Sequence, residues 1–199
     1  KGLTLSLPRG SFHFLTGPSG AGKTTFLRLC IADLLPSAGQ MTLFGEDAAT
    51  LGRDAIAGVR RRIGVVHQDT QFLDHLPVAE NIALPMMVAG QPIDMQAIRD
   101  LLAWVQMTGQ ARAMPPSLSG GERQRAALAR AVILSPDVIL ADEPTGNLDW
   151  EMSLRLLQLL VELNRSGKTV LIATHDLNLI RAAKQMVSAR VLRIAGGRL

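Results

Sequence analysis

Gly17-Pro18-Ser19-Gly20-Ala21-Gly22-Lys23-Thr24 is the stretch that decides the fold. It matches the pattern G-x-x-x-x-G-K-[ST] at every fixed position. Upstream, residues 12–16 read as a strand. Downstream, Phe26, Leu27, Ile31 and Leu34 recur at helical spacing, and Pro36 is expected to end that helix. A glycine-rich loop between a strand and a helix can wrap its backbone N–H groups around phosphates. The start of the helix adds its positive dipole end. Lys23 is then expected to reach the β- and γ-phosphates of a nucleotide and Thr24 to ligate Mg²⁺. Gly17, Pro18, Ser19, Gly20, Ala21, Gly22 and Thr25 complete the phosphate site.

A second run points to the same edge of a sheet. Residues 138–141 are four consecutive apolar side chains, followed directly by Asp142 and Glu143. A buried parallel strand ending there delivers two carboxylates to the edge at which such sheets bind ligands. Asp142 is the candidate to hold Mg²⁺. Glu143 is the candidate general base for an attacking water, a role that typically contributes ~10²–10⁴-fold in rate. Taken alone, the same pattern also occurs at helix N-caps.

Outward from these runs, Leu3, Leu5 and Leu7 alternate with polar residues as in a half-buried strand, and Pro8-Arg9-Gly10 turns the chain. Short strands are expected over 41–44, 63–66 and 170–173. A further two, at Val187 and over 191–194, are expected to close the sheet. Residues 154–163 read as an amphipathic helix. From about 70 to 134 the pattern is mainly helical, broken by Pro77, Pro85, Pro92, Pro115 and Pro116. The whole predicts one α/β domain over 1–199, a P-loop NTPase with a mainly parallel sheet, flanking helices and an inserted helical subdomain at about 70–134.

Bulk composition agrees. The 199 residues are 47% hydrophobic and 19% charged, which suits a packed core, and the formal charge of +4 suits an anionic partner without choosing one. Cys30 is the single cysteine, so no intramolecular disulfide can form. No apolar run approaches the ~20 residues of a membrane span. Trp104, Trp150 and Cys30 read as packing residues, and Arg60-Arg61-Arg62 as a solvated helix terminus. Leu84, Met86 and Met87 suit either core packing or docking of a partner helix.

Further motifs narrow the class. In Leu118-Ser119-Gly120-Gly121-Glu122-Arg123-Gln124-Arg125, Ser119 is placed to cap a helix beginning near Gly120, and Gly120 and Gly121 leave N–H groups open to an anion. Gln68 follows the strand at 63–66, Pro144-Thr145-Gly146-Asn147-Leu148-Asp149 follows the acidic pair, and His175 follows the strand at 170–173. A lone Gln is usually solvated and a lone His usually structural. Together and in this order they resemble the ABC ATPases.

The resemblance implies that the octet is the signature sequence and that Gln68 contacts Mg²⁺ and the attacking water and senses a membrane partner. It implies that the segment through Asp149 crosses a dimer interface beside the nucleotide, and that His175 bonds the γ-phosphate. Two protomers would lie head to tail, each ATP held by Gly17 to Thr25 of one and by Ser119, Gly120 and Gly121 of the other. Members usually carry an aromatic residue upstream of the first core strand to stack on adenine. This chain has no Tyr and is expected to be an N-terminally shortened version with weak adenine stacking.

The span from Thr24 to Ser119 is too short for a long coiled-coil insertion. Within the family, Arg61-Arg62-Ile63-Gly64-Val65-Val66, Glu80-Asn81-Ile82-Ala83-Leu84-Pro85 and Ala173-Thr174-His175-Asp176 are similar to the small cassettes of bacterial cell division. His67 stands where those usually have Phe. That resemblance implies an integral membrane partner (FtsX-like), a homodimer in the ATP state, a place on the cytoplasmic face of the inner membrane, and no nucleic acid. Closure of the dimer would signal through the membrane to cell-wall hydrolysis. An exporter ATPase for lipoprotein, lipid or drug, and a nucleotide-gated division scaffold with little turnover, remain as alternatives.

Overall fold

The computed structural model describes residues 4–195. Its central sheet has five strands: β1 (Phe12–Thr16), β4 (Ile63–His67), β5 (Val138–Asp142), β6 (Thr169–Ala173) and β7 (Ala189–Arg193). They lie in the order β4-β5-β6-β1-β7, and every pairing is parallel. The register sets His67 opposite Asp142 and Asp142 opposite Ala173, with Leu15 opposite Ala173 on the other side of β6. The C-terminal ends of four strands therefore meet along one edge.

Alternation along the strands divides two cores. Phe12, Phe14, Ile139, Ala141, Val170 and Ile172 join one cluster. Leu15, Leu140, Leu171 and Ala173 join the other. The first cluster is covered by α3 (Val78–Val88), α4 (Met95–Trp104), α5 (Gly120–Val132), α6 (Trp150–Arg165) and α7 (Leu177–Met186); the second by α1 (Lys23–Cys30) and α2 (Arg53–Arg61). Both faces being buried explains why β5 and β6 are nearly all apolar. Helix α5 comes so close to β4 that a Cβ on Gly64 would lie 2.4 Å from the carbonyl oxygen of Ala131.

The structure corrects several expectations. Leu3 lies outside the described residues, and Leu5 and Leu7 form no strand; among the described residues the second sheet pairs β2 (Thr42–Leu43) with β3 (Glu46–Asp47). Phe44 (φ 52°) and Gly45 (φ 92°) make the tight left-handed turn of that hairpin, so its first strand is shorter than 41–44. Helix α1 stops at Cys30, well before Pro36. Ala32 turns left-handed (φ 51°), and the N–H groups of Asp33 and Leu34 fold back to the Arg28 carbonyl. Pro85 does not break the helical region but sits inside α3, where burial of Ile82, Ala83 and Met86 outweighs its lost N–H. Val187 is the C-cap of α7, so one strand closes the sheet, not two.

Arg60, Arg61 and Arg62 lie exposed at the end of α2, as expected, and two of them also make specific contacts. Arg60 donates to the carbonyls of Ile31 (3.0 Å) and Ala32 (3.2 Å). Arg62 pairs with Asp137 at 2.7 Å and stacks 3.8 Å from the Phe44 ring centroid. Trp104 packs against the first cluster and donates Nε1 to Glu162 at 2.8 Å. Trp150 is half exposed at the start of α6. Met86 is buried while Met87 is exposed. Burial pushes the Cys30 thiol up to about 12. Among the described residues, no helix is long and apolar enough to cross a membrane.

Candidate active site

Backbone shape builds the phosphate loop. Gly20 (φ 75°) and Gly22 (φ 103°) adopt left-handed conformations, and Gly22 is the N-cap of α1. Gly17 is required for a different reason. The Ile194 N–H donates to the Thr16 carbonyl at 2.8 Å, drawing the end of β7 against the loop, and a Cβ on Gly17 would meet the Ile194 carbonyl oxygen at 2.4 Å. Lys23, in the first turn of α1, donates Nζ to the Gly17 carbonyl at 2.9 Å and so lies inside the loop.

The acidic end of β5 faces this loop. Thr24 Oγ1 donates to Asp142 Oδ2 at 2.9 Å. Glu143 leaves the strand at φ 44°, a left-handed conformation that costs a non-glycine residue about 1–3 kcal/mol. Its N–H still donates to the Ala173 carbonyl at 2.8 Å, so the turn rotates its carboxylate towards the end of β6. There His175 Nδ1 lies 2.8 Å from Oε1, Thr174 Oγ1 donates to Oε2 at 3.0 Å, and Lys23 Nζ is 3.8 Å from Oε1. The Glu143 side chain is only 16% exposed and that of His175 75%.

Gln68, one residue beyond β4, reaches the same edge. Its amide nitrogen lies 2.7 Å from where a Cβ on Gly146 would stand. The loop behind it is held by Gln124, a buried residue of α5 whose Nε2 donates to the carbonyls of His67 and Gln68. Asn147 adds a contact to Asp69 at 3.3 Å. Buried Asn81 pins the following turn: it accepts from the Leu73 N–H at 2.8 Å and donates to three carbonyls. A cleft of about 420 Å³ opens beside Glu143, Gly146, Trp150, Thr174, His175 and Leu177.

Ser119 forms a capping box with Glu122. The Glu122 N–H donates to Ser119 Oγ at 3.3 Å, and Glu122 Oε2 accepts the Ser119 N–H at 2.9 Å. The bond from the Ser119 backbone, then that from its hydroxyl, hold the Glu122 carboxyl below its ordinary range. Gly120 faces the Asn147 carbonyl and Gly121 faces Met152. Asp149 caps α6, accepting from the Met152 N–H at 2.9 Å. Lys23, Thr24, Asp142, Glu143, His175 and Gln68 thus gather at the sheet edge. Ser119, Gly120, Gly121 and Asp149 gather around the start of α6, and no hydrogen bond among the described residues joins them to the phosphate loop.

The donor set fits a nucleotide with Mg²⁺. Thr24 and Asp142 bring two oxygens together beside a loop of left-handed glycines, and Mg²⁺ is usually held by one or two carboxylates plus substrate phosphates. Thr174, Gln124 and Asn81 stand inside motif runs of the sequence, but the sequence assigns none of them a role of its own. Thr174 adjoins His175 and Gln124 lies inside the octet, so position beside a motif was the one available signal.

A phosphate loop after β1, an interior strand of a parallel sheet, facing the acidic end of β5, defines a P-loop nucleotide-binding cassette. The chain belongs to the ABC transporter family, whose model matches residues 1–146, and is an ATPase of that family. It is similar to the cell division ATP-binding protein FtsE of Haemophilus influenzae, 46% identical over 183 residues, covering 91% of this chain and 84% of that protein. The FtsE of Bacillus subtilis is 41% identical over 190 residues (94% and 83%) and that of Mycobacterium tuberculosis 40% over 199 residues (99% and 85%). Among solved structures, a dimeric ATP-binding cassette in a post-hydrolysis state with ADP and Pi superposes with TM-score 0.88 at 31% identity, covering 100% of this chain and 87% of that one. A dimeric bacterial ABC transporter cassette superposes with TM-score 0.87 at 33% identity (100% and 87%).

Proposed function

We propose that this chain is the ATP-hydrolysing subunit of an FtsE-type cell-division complex, working as a head-to-tail homodimer under an FtsX-like membrane subunit at the cytoplasmic face of the inner membrane. The observation that carries the catalytic part is the convergence of Lys23, Thr24, Asp142, Glu143 and His175 on one sheet edge. The cell-division part rests on the FtsE relatives.

Gly17 to Thr25 wrap the phosphates, and Lys23 turns its ammonium from the Gly17 carbonyl to the β- and γ-phosphates. Thr24 and Asp142, with Gln68 beside them, would hold Mg²⁺, which when bound would supply positive charge against the phosphate oxygens. Glu143 takes a proton from the attacking water, and His175 bonds the γ-phosphate. Ser119, Gly120 and Gly121 of the second protomer, with the segment through Asp149, close over the same ATP. Nucleotide-dependent closure then biases the membrane partner between two states. Residues 70–134 act as the helical subdomain that carries the signature helix.

Glu143→Gln tests the base. ATP turnover is expected to fall by about 10²-fold or more with ATP binding retained, the size of a general-base contribution. A variant that hydrolyses ATP at the parent rate overturns the assignment. The same variant with Mg-ATP, used to capture its membrane partner from native membranes, tests the pathway. An FtsX-like subunit supports cell division; a transporter permease moves the output to export and leaves the chemistry unchanged.

A further inference from the structure

Thr174 follows β6 and is fully buried. Its backbone N–H donates to the Leu15 carbonyl at 3.0 Å, which ties it to β1 just before the phosphate loop. Its hydroxyl accepts the Asp176 N–H at 3.1 Å and donates to Glu143 Oε2 at 3.0 Å. The direction of these bonds is settled by chemistry. Asp176 offers an N–H, which can only donate, so the single hydroxyl proton goes to the carboxylate.

The two oxygens of Glu143 are therefore held in different ways. Oε1 meets His175, whose side chain is 75% exposed, and the long Lys23 side chain at 3.8 Å. Both can swing away. Oε2 meets a short β-branched side chain with no room to move. We infer that Thr174 is a positioning residue for Glu143. It keeps Oε2 fixed when Lys23 and His175 turn to the γ-phosphate, and it leaves Oε1 as the oxygen that accepts the proton of the attacking water. This rests on the reading of Glu143 as the base.

The test compares the purified chain with Thr174→Val, which keeps shape and burial but removes the hydroxyl, and with Thr174→Ser, which keeps the hydroxyl. Losing a hydrogen bond to a charged group predicts a drop in kcat of about 10-fold or more for Thr174→Val, with KM for Mg-ATP changed less than about 2-fold. Thr174→Ser is expected to restore most of kcat. The hydroxyl also supports the start of α7, so Asp176→Ala, which removes that helix's cap and leaves the hydroxyl in place, is measured alongside. It is expected to keep kcat within about 2-fold of the parent, because the cap acts on helix stability alone. Thr174→Ala carries the same expectation as Thr174→Val if the latter loses its cooperative melt. A parent-like kcat in Thr174→Val, an equal loss in Thr174→Ser, or the same loss in Asp176→Ala overturns the inference. Glu143→Gln run in the same assay separates the two failures. If it is inactive while Thr174→Val is normal, only the positioning role falls; if it is active, the base assignment beneath it falls.

Discussion

The edge formed by β1, β5 and β6 and the start of α5 are both built to present polar groups, yet they are completed differently. At the sheet edge the side chains satisfy one another across long sequence separations: Thr24 with Asp142, Glu143 with Thr174 and His175, Lys23 with Glu143. At the start of α5 the capping box closes within three residues, Ser119 with Glu122, and the first N–H groups of the helix, at Gly120 and Gly121, cannot be paired within it. The edge is a cross-strand assembly whose geometry depends on register. The helix start is a local device that keeps its shape wherever it is carried. This suits a mechanism in which one surface performs chemistry and the other is offered to a second nucleotide-bound copy.

Three substitutions or conditions sharpen that contrast. The largest effect is expected from Gly17→Ala. Its Cβ would sit 2.4 Å from the Ile194 carbonyl, so either the loop or the end of β7 must move, with a penalty of about 1–3 kcal/mol. Thermal melts should fall and ATP affinity should fall with them. An alanine variant with parent stability and binding would break the claim that the edge depends on β7. Ser119→Ala should cost about 1 kcal/mol at the start of α5. ATP binding by the monomer should be untouched and ATP-dependent dimerisation weakened, read by thermal melts, nucleotide titration and sedimentation. Equal loss of monomer binding would show that the two regions are not separable.

The smallest effect is in pH. The folded-state carboxyl of Glu122 is held below its ordinary value of 4.5 by its bonds from Ser119. Its contribution is therefore complete above that value and is lost as pH falls through the lowered one. The residue is only partly buried and open to solvent, so the effect is small. Hydrogen exchange at the first turn of α5 should accelerate in acid beyond the intrinsic rate in the parent and less so in Glu122→Gln. Identical acid profiles would remove the capping box from the account.

How far the primary structure could be read follows the same division. Features that close within a few residues were legible: the strand–loop–helix around Gly17 to Thr24, the cap at Ser119, and the apolar run ending in Asp142 and Glu143. Each depends on local φ, on the reach of a short side chain, or on uninterrupted burial. Where β1, β5 and β6 meet was decided by tertiary structure, and with it the contacts of Glu143 with Thr174, of Gln124 with the carbonyls at His67 and Gln68, and of Gly17 with Ile194. Those contacts join residues that share no periodicity and become neighbours only through sheet order and register. Tertiary burial also kept Pro85 inside α3, and a left-handed Ala32 ended α1 early, both against local preference. Side-chain identity at a motif prescribes what can be done there. Which buried neighbour holds it still is a matter of packing, because a hydrogen bond a few ångströms long is set by the positions of whole strands.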